Sequence, residues 1–166
     1  MSVLKQYYID VFKLSNSTHS YEFEVESTFF GSFDNSPVNK GKAEVKVVLE
    51  KSTTFIDMQF SINGSIELTC DRSLEKFSET ISSNHHMLFK YGDSWEEMSD
   101  EIVVMPRDVQ RIDIGQYIYE FICLDVPMKK VHPKYRNEEN EGVIYSSKND
   151  NKEEPNSIWD KLKEIK

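Results

Sequence analysis

Thr54-Phe55-Ile56-Asp57-Met58-Gln59-Phe60-Ser61-Ile62-Asn63-Gly64-Ser65-Ile66-Glu67-Leu68-Thr69-Cys70 is the stretch on which the fold depends. Ile56, Met58, Phe60 and Ile62 recur at every second position, and Ile66, Leu68 and Cys70 do so again. That period matches the pleat of a strand, in which successive side chains point to opposite faces. Between the two runs stands Asn63-Gly64, the favoured pair for a two-residue type I′ turn, where both positions need positive φ. The reading is a β-hairpin, with one strand over 54–62 and its return over 65–70. Each large apolar side chain it buries contributes about 1.5–3 kcal/mol before conformational entropy is subtracted.

The same patterning extends upstream. Val45, Val47 and Leu49 alternate with Glu44, Lys46 and Glu50, and Tyr21, Phe23 and Val25 alternate with Glu22, Glu24 and Glu26. Leu4 to Phe12 is rich in Tyr, Ile, Val and Phe, which suits another strand. The Gly, Ser, Asn and Pro content of Gly31 to Lys42 predicts a loop. Phe29, Phe30 and Phe33 could stack nucleic-acid bases. Aromatic clusters more commonly fill a core, which is the reading adopted.

Downstream, Ile81, Ser83, His85, Met87, Phe89 and Tyr91 share one face of a predicted strand over 80–91. Adjacent His85 and His86 then point to opposite faces and cannot readily ligate one metal. The acidic stretch Asp93 to Glu101, around Trp95, reads as a solvated loop that could also dock a basic partner. Ile114, Ile118, Phe121 and Ile122 have helical spacing, predicting a helix over 113–124. Asp113 would be its N-cap, Gln116 would complete a capping box, and Pro127 would stop it. Met128 to Pro133 is a short basic segment. Residues 134–157 read as a polar flexible linker. Ile158, Trp159, Leu162 and Ile165 suggest a short amphipathic helix over 158–166, which cannot be stable alone.

At 166 residues, with 38% hydrophobic and 30% charged side chains, the chain fits one domain with a tail. No run approaches the ~18 apolar residues of a membrane span. The N-terminal segment has no apolar h-region, so the expected location is cytoplasmic. The net charge of -9 makes a general polyanion binder a poor fit and a basic protein the simpler partner. Cys70 and Cys123 are far apart and read as free thiols.

Motifs for phosphate or dinucleotide binding, or for a nucleophile elbow, are not found in the sequence. A thiol nucleophile at Cys70 is conceivable, but the residue aligns with Ile66 and Leu68 and reads as core-facing. The candidate zinc ligands Cys70, Cys123, His132 and His85 or His86 are scattered singles, unlike the close pairs of structural zinc sites. No cofactor, metal or small-molecule substrate is expected.

Cys70-Asp71-Arg72-Ser73-Leu74-Glu75-Lys76-Phe77 resembles the Cys-x-Arg-Cys-Leu-Glu signature of the YceD-like family, the large ribosomal RNA subunit accumulation proteins, formerly a domain of unknown function. Ile112 to Pro127 is similar to that family's Asp-Leu-Gly helix ending in Leu-x-x-Pro. Pro155 to Ile165 is similar to its closing Asp-Pro-Arg-x-x-x-Leu-x-x-Leu, with Asn156 and Ser157 replacing part of the motif. The chain departs from the pattern at Ser73, where many relatives have a second cysteine. It departs again at Val131-His132-Pro133, where many have a cysteine-rich segment. No metal site is therefore carried over, and hydrogen bonds from Asp71 or Ser73 could hold the turn instead.

The resemblance implies a non-catalytic bacterial factor in large-subunit assembly, binding a ribosomal protein or a preribosomal particle, with possible rRNA contact. The expected partner-facing residues are Asp71, Arg72, Glu75, Lys129, Lys130 and His132, with Cys70, Leu74 and Phe77 anchoring the turn inward. A direct RNA binder, using Lys129, Lys130, Lys134 and Arg136 as a basic face, and a cysteine- or metal-dependent enzyme are the alternatives. The expected fold is α+β over 1–133. It is a twisted antiparallel β-sheet or partly open barrel with one main covering helix and a C-terminal tail.

Overall fold

The computed structural model describes residues 6–136, and every structural statement below concerns these. The predicted helix at 158–166, and all of the predicted linker beyond Arg136, lie outside them. Three of that linker's residues, Lys134 to Arg136, belong to a one-turn helix.

The alternating segments form strands whose apolar positions face one side. They are β1 (Tyr8–Asp10), β2 (Thr18–Val25), β3 (Lys40–Lys51), β4 (Phe55–Thr69), β5 (Lys76–Gly92), β6 (Glu96–Ser99), β7 (Ile102–Pro106) and β8 (Arg111–Asp113). Helices α1 (Ser27–Phe30), α2 (Gly115–Asp125) and α3 (Pro133–Arg136) complete the fold. Six strands make one open sheet in the order β2-β3-β4-β5-β7-β6, antiparallel except for the parallel β5–β7 pair. The expected α+β class with one main covering helix is what the chain adopts; the sheet is open rather than a barrel, and mixed rather than wholly antiparallel because β7 joins β5 in parallel.

The apolar face of the sheet is covered by α1, α2 and the small β1–β8 ribbon. Ile56, Met58, Phe60 and Ile62 of β4 are fully buried there with Val45, Val47 and Leu49 of β3 and Phe89 of β5. Phe121 brings α2 onto the sheet, edge-on to Phe60 with ring centroids 5.1 Å apart. Phe29 and Phe30 are core residues, and Phe33 stacks on Tyr119 at 3.8 Å. The opposite face is polar, with cross-strand bonds from Ser61 Oγ to Asn84 Oδ1 and from Ser82 Oγ to Asn63 Oδ1, both 2.8 Å.

The predicted hairpin at Asn63-Gly64 does not form. The chain runs through both residues as one 15-residue strand, paired to β3 and β5 at once. Asn63 lies opposite Glu44 and Ser82, and Gly64 opposite Ala43 and Ile81. Neither residue has the positive φ that a type I′ turn requires. The glycine serves close strand approach instead. A Cβ on Gly64 would lie 2.3 Å from the Lys42 carbonyl oxygen and 2.5 Å from Ala43 Cα.

Two local expectations shift for related reasons. Asp113 ends β8, so the helix N-cap is Ile114, and Asp113 Oδ1 accepts the Gly115 N–H at 2.9 Å. Gln116 donates forward to Glu120 Oε1 at 2.7 Å, so no capping box forms. The acidic stretch around Trp95 holds a short edge strand, β6, exposed at every position. Short charged edge strands resist pairing with other chains. As expected, α2 ends just before Val126-Pro127.

Candidate functional site

The true reversal after β4 is the six-residue loop Cys70 to Glu75. Thr69 pairs with Lys76, Cys70 N–H donates to the Glu75 carbonyl at 2.8 Å, and Leu74 N–H donates to the Cys70 carbonyl at 2.9 Å. Closing the loop puts Leu74 at φ 60, the left-handed region. That costs a non-glycine residue roughly 1 kcal/mol. The expectation that Leu74 anchors the turn inward is wrong, because this backbone aims its side chain outward and leaves it 78% exposed. Cys70 and Phe77 do point inward and are buried.

Sixty residues away in sequence, the segment after α2 packs against this loop. It follows β5 where that strand lacks a second partner, since β7 pairs with β5 only from Leu88 onward. Asp125, at the end of α2, accepts the Ser83 hydroxyl proton, and its other carboxylate oxygen lies 3.5 Å from His85 Nε2. Arg136 pairs with Glu79 and donates to the Val131 carbonyl. The His132 ring lies 5.6 Å from that of Phe77.

At the loop itself the contacts are reciprocal. Asp71 N–H donates to the Lys130 carbonyl at 2.7 Å, and Lys130 N–H donates back to Asp71 Oδ2 at 2.8 Å. His132 N–H donates to Cys70 Sγ at 3.3 Å. Lys134 pairs with Glu75, which also accepts the Ser73 hydroxyl proton at 3.0 Å. The Arg72 guanidinium lies 4.8 Å above the Tyr135 ring, and Lys134 also faces that ring at 4.9 Å. The structure therefore joins Asp71, Arg72, Glu75, Lys130 and His132, with Lys129 adjacent in the same segment. Sequence reasoning missed Tyr135 as part of this assembly and named Lys134 only in the alternative basic face, not as the partner of Glu75. The signal for Lys134 and Tyr135 was a cation and an aromatic just after the basic segment.

Electrostatics follow from these pairs. Lys134, then Ser73, holds the Glu75 carboxyl below its usual range, and Glu75 raises Lys134 in turn. The Ser73 hydroxyl, whose one proton Cys70 shares with Glu75, lowers the Cys70 thiol to about 7 against the opposing effect of burial, with the His132, Ser73 and Arg72 amides adding to it. This thiol is acidic yet inaccessible. Native protein is therefore expected to resist iodoacetamide at Cys70 and to react after unfolding; rapid native alkylation would revive the nucleophile reading. The depressed pKa also implies stability that is present above pH 9 and lost as pH falls through 7. The unfolding free energy of the native chain should therefore rise relative to Cys70→Ser between pH 7 and pH 9 in urea titrations.

The Ser83–His85–Asp125 cluster has titratable partners but not relay geometry. Both Ser83 Oγ, at 3.2 Å, and Asp125 face the same nitrogen, Nε2 of His85. A nucleophile relay uses the two ring nitrogens separately. His85 instead stacks flat on Phe121 at 4.2 Å, and the cluster fastens the end of α2 to β5. His86 points to the other face and meets Asp57 at 2.9 Å. Among the described residues, no three His, Cys, Asp or Glu side chains are grouped to hold a metal ion. No described helix is long and apolar enough to cross a membrane.

The loop, α2 and the segment that joins them all fall inside one family match, over residues 58–166, to Large ribosomal RNA subunit accumulation protein YceD. The chain belongs to the YceD family. The match spans roughly two thirds of the chain and begins within β4, so β1 to β3 and α1 precede it. No curated protein and no solved structure matches the chain. The YceD description connects the family with accumulation of large-subunit ribosomal RNA.

The Asp71–Lys130 exchange gives a test of how this YceD chain holds its loop. Asp71→Ala removes the acceptor of the Lys130 amide, while Asp71→Asn keeps one. Amide exchange at Lys130 and His132 should quicken about tenfold in Asp71→Ala, the equivalent of one hydrogen bond to a charged group, and much less in Asp71→Asn. Equal exchange in both variants would show that the carboxylate does not hold the segment.

Proposed function

We propose that the chain is a non-catalytic assembly factor for the large ribosomal subunit, acting by binding a ribosomal protein or a preribosomal particle. The observation that carries this reading is the family match over the loop, α2 and the segment that braces them. The loop's geometry supports a contact role. Leu74 stands exposed and strained at the tip, between Arg72 and Glu75, where it adds little to the core. Strain held on a braced loop is a recurrent mark of function.

A protein or protein-rich partner is favoured over bare RNA by the state of the cations. Lys130, Lys134 and Arg136 are each paired with a carboxylate, on Asp71, Glu75 and Glu79. Cations neutralised in this way have less to offer phosphates. Contact with rRNA would then come through the particle.

Depletion of the protein, followed by sucrose-gradient profiling and quantitation of ribosomal RNA, tests the reading. Large-subunit particles and their RNA are expected to fall relative to the small subunit. Unchanged levels of both would overturn it.

A further inference from the structure

Away from the loop, the exposed side of α2 borders a trough. One part, of about 560 Å³, lies between α2 and the edge strand β6. Its apolar lining includes Met87, Val103, Tyr117 and Phe121, with Met98 and Leu124 at its walls. The adjoining part, of about 440 Å³, shares Asp100, Phe121 and Leu124 and continues to His85 and His86. Met98 is 62% and Leu124 74% exposed, unusually open for two large apolar side chains that line one trough.

The walls of the trough are acidic. Glu97, Asp100, Glu101 and Glu120 line it, and no lysine or arginine does so among the described residues. Glu97, Asp100 and Glu101 have no ion-pair partner among those residues, in contrast to the braced loop, where carboxylates and cations neutralise one another. The stretch Asp93 to Glu101 carries acids throughout and no cation. The hydroxyl of Tyr117, inside the trough, is pushed up to about 12 by burial, then by Glu120 and Glu97.

We propose that this trough docks the apolar face of a Lys/Arg-rich amphipathic helix belonging to a partner protein. An apolar floor inside an acidic rim is complementary to such a helix in both respects: anchors at helical spacing fill the floor while flanking cations meet the rim. Met87 in the floor and Met98 in the wall let the trough adapt to different anchors. The proposal rests on the assembly-factor reading for its biological partner, but not for its physical test.

The probe is a fluorescein-labelled 18-residue peptide of leucine and lysine, with leucines at helical i, i+3, i+4, i+7 spacing, titrated with the full chain and followed by anisotropy. Saturable binding should weaken at least tenfold between low salt and 0.3 M salt. It should also weaken at least tenfold in Met98→Asp/Leu124→Asp and in Glu97→Lys/Asp100→Lys, with urea midpoints unchanged because all four residues lie outside the core. Equal affinity in native protein and both variants would overturn the proposal. So would equal affinity for a proline-interrupted peptide of the same composition, which would point to charge adsorption or strand addition.

Two other occupants are distinguished in the same experiment. Tighter peptide binding in full-length Leu162→Asp/Ile165→Asp would assign the trough to the chain's own C-terminal segment. Dimers by sedimentation that Leu124→Asp dissolves would assign it to a second copy. Either result overturns the partner assignment. Co-sedimentation with large-subunit precursors separates this proposal from the function above. If the trough variants still co-sediment, the docking proposal falls and the assembly role stands. If depletion leaves ribosomal RNA unchanged, the assembly role falls even where the peptide binds.

Discussion

Gly64→Val is expected to destabilise the chain by about 3 kcal/mol or more, among the largest single-residue effects in the fold. The added Cβ would enter the space of the Lys42 carbonyl and of Ala43 Cα, at 2.3 and 2.5 Å. Both belong to the backbone of β3, which is held on its other side by β2. The strand cannot yield without breaking ladder hydrogen bonds. Asn63→Thr should change stability by no more than about 1 kcal/mol, because Asn63 is exposed in mid-strand and threonine suits a pleated strand. Urea denaturation of the two variants decides the point. A large loss from Asn63→Thr with a mild one from Gly64→Val would indicate a turn at these residues.

Phe29→Ala is expected to cost about 3–5 kcal/mol, the range for truncating a buried phenylalanine. Phe29 is wholly buried, with ring centroids 4.9 Å from Tyr7, 5.5 Å from Phe30 and 5.2 Å from Phe33. Its removal opens a cavity where α1 meets the core, a region whose aromatic rings are fixed by one another. Since small domains are stable by only about 5–15 kcal/mol, a lowered melting temperature should be plain in calorimetry. A stable Phe29→Ala variant that lost affinity for single-stranded RNA would instead restore the base-stacking reading.

The misread hairpin shows where local signals mislead. In a two-residue hairpin about Asn63-Gly64, Ile62 would face Ser65 and Phe60 would face Glu67. Directly opposed residues share a face, so the apolar sets of the two arms would have landed on opposite sides of the sheet. The even-numbered phase instead runs unbroken from Ile56 through Gly64 to Leu68 and Cys70, which only a continuous strand can bury on one side. That phase was legible in the sequence, and the Asn-Gly pair drew attention from it.

Other elements were legible to different depths. The alternation of β2, β3 and β5, the helical spacing of α2 and the stop at Pro127 all read correctly, because each depends on neighbours within a few residues. The capping box failed because pairing of Asp113 with Tyr8, a contact across most of the chain, moved the helix start by one residue. Leu74 failed because leucine carries no signature of positive φ. At the candidate site, the importance of the octapeptide came from family resemblance. Its meeting with Lys130, His132 and Tyr135 was not visible from spacing.

By itself, the sequence determined which side chains of the long strands and of α2 face inward. Period two and period 3.6 are properties of the local backbone, and apolar residues at those periods have one favourable side. Only the tertiary structure decided whether Asn63-Gly64 turns or continues. The reason is that β3 and β5 supply ladder partners on both edges of β4, and Ala43 opposite Gly64 leaves room for the strands to approach. The tertiary structure likewise decided that Asp71 would meet Lys130, and that α2 and β6 would enclose an acidic trough. Those juxtapositions depend on the path of the whole chain, which no local pattern encodes.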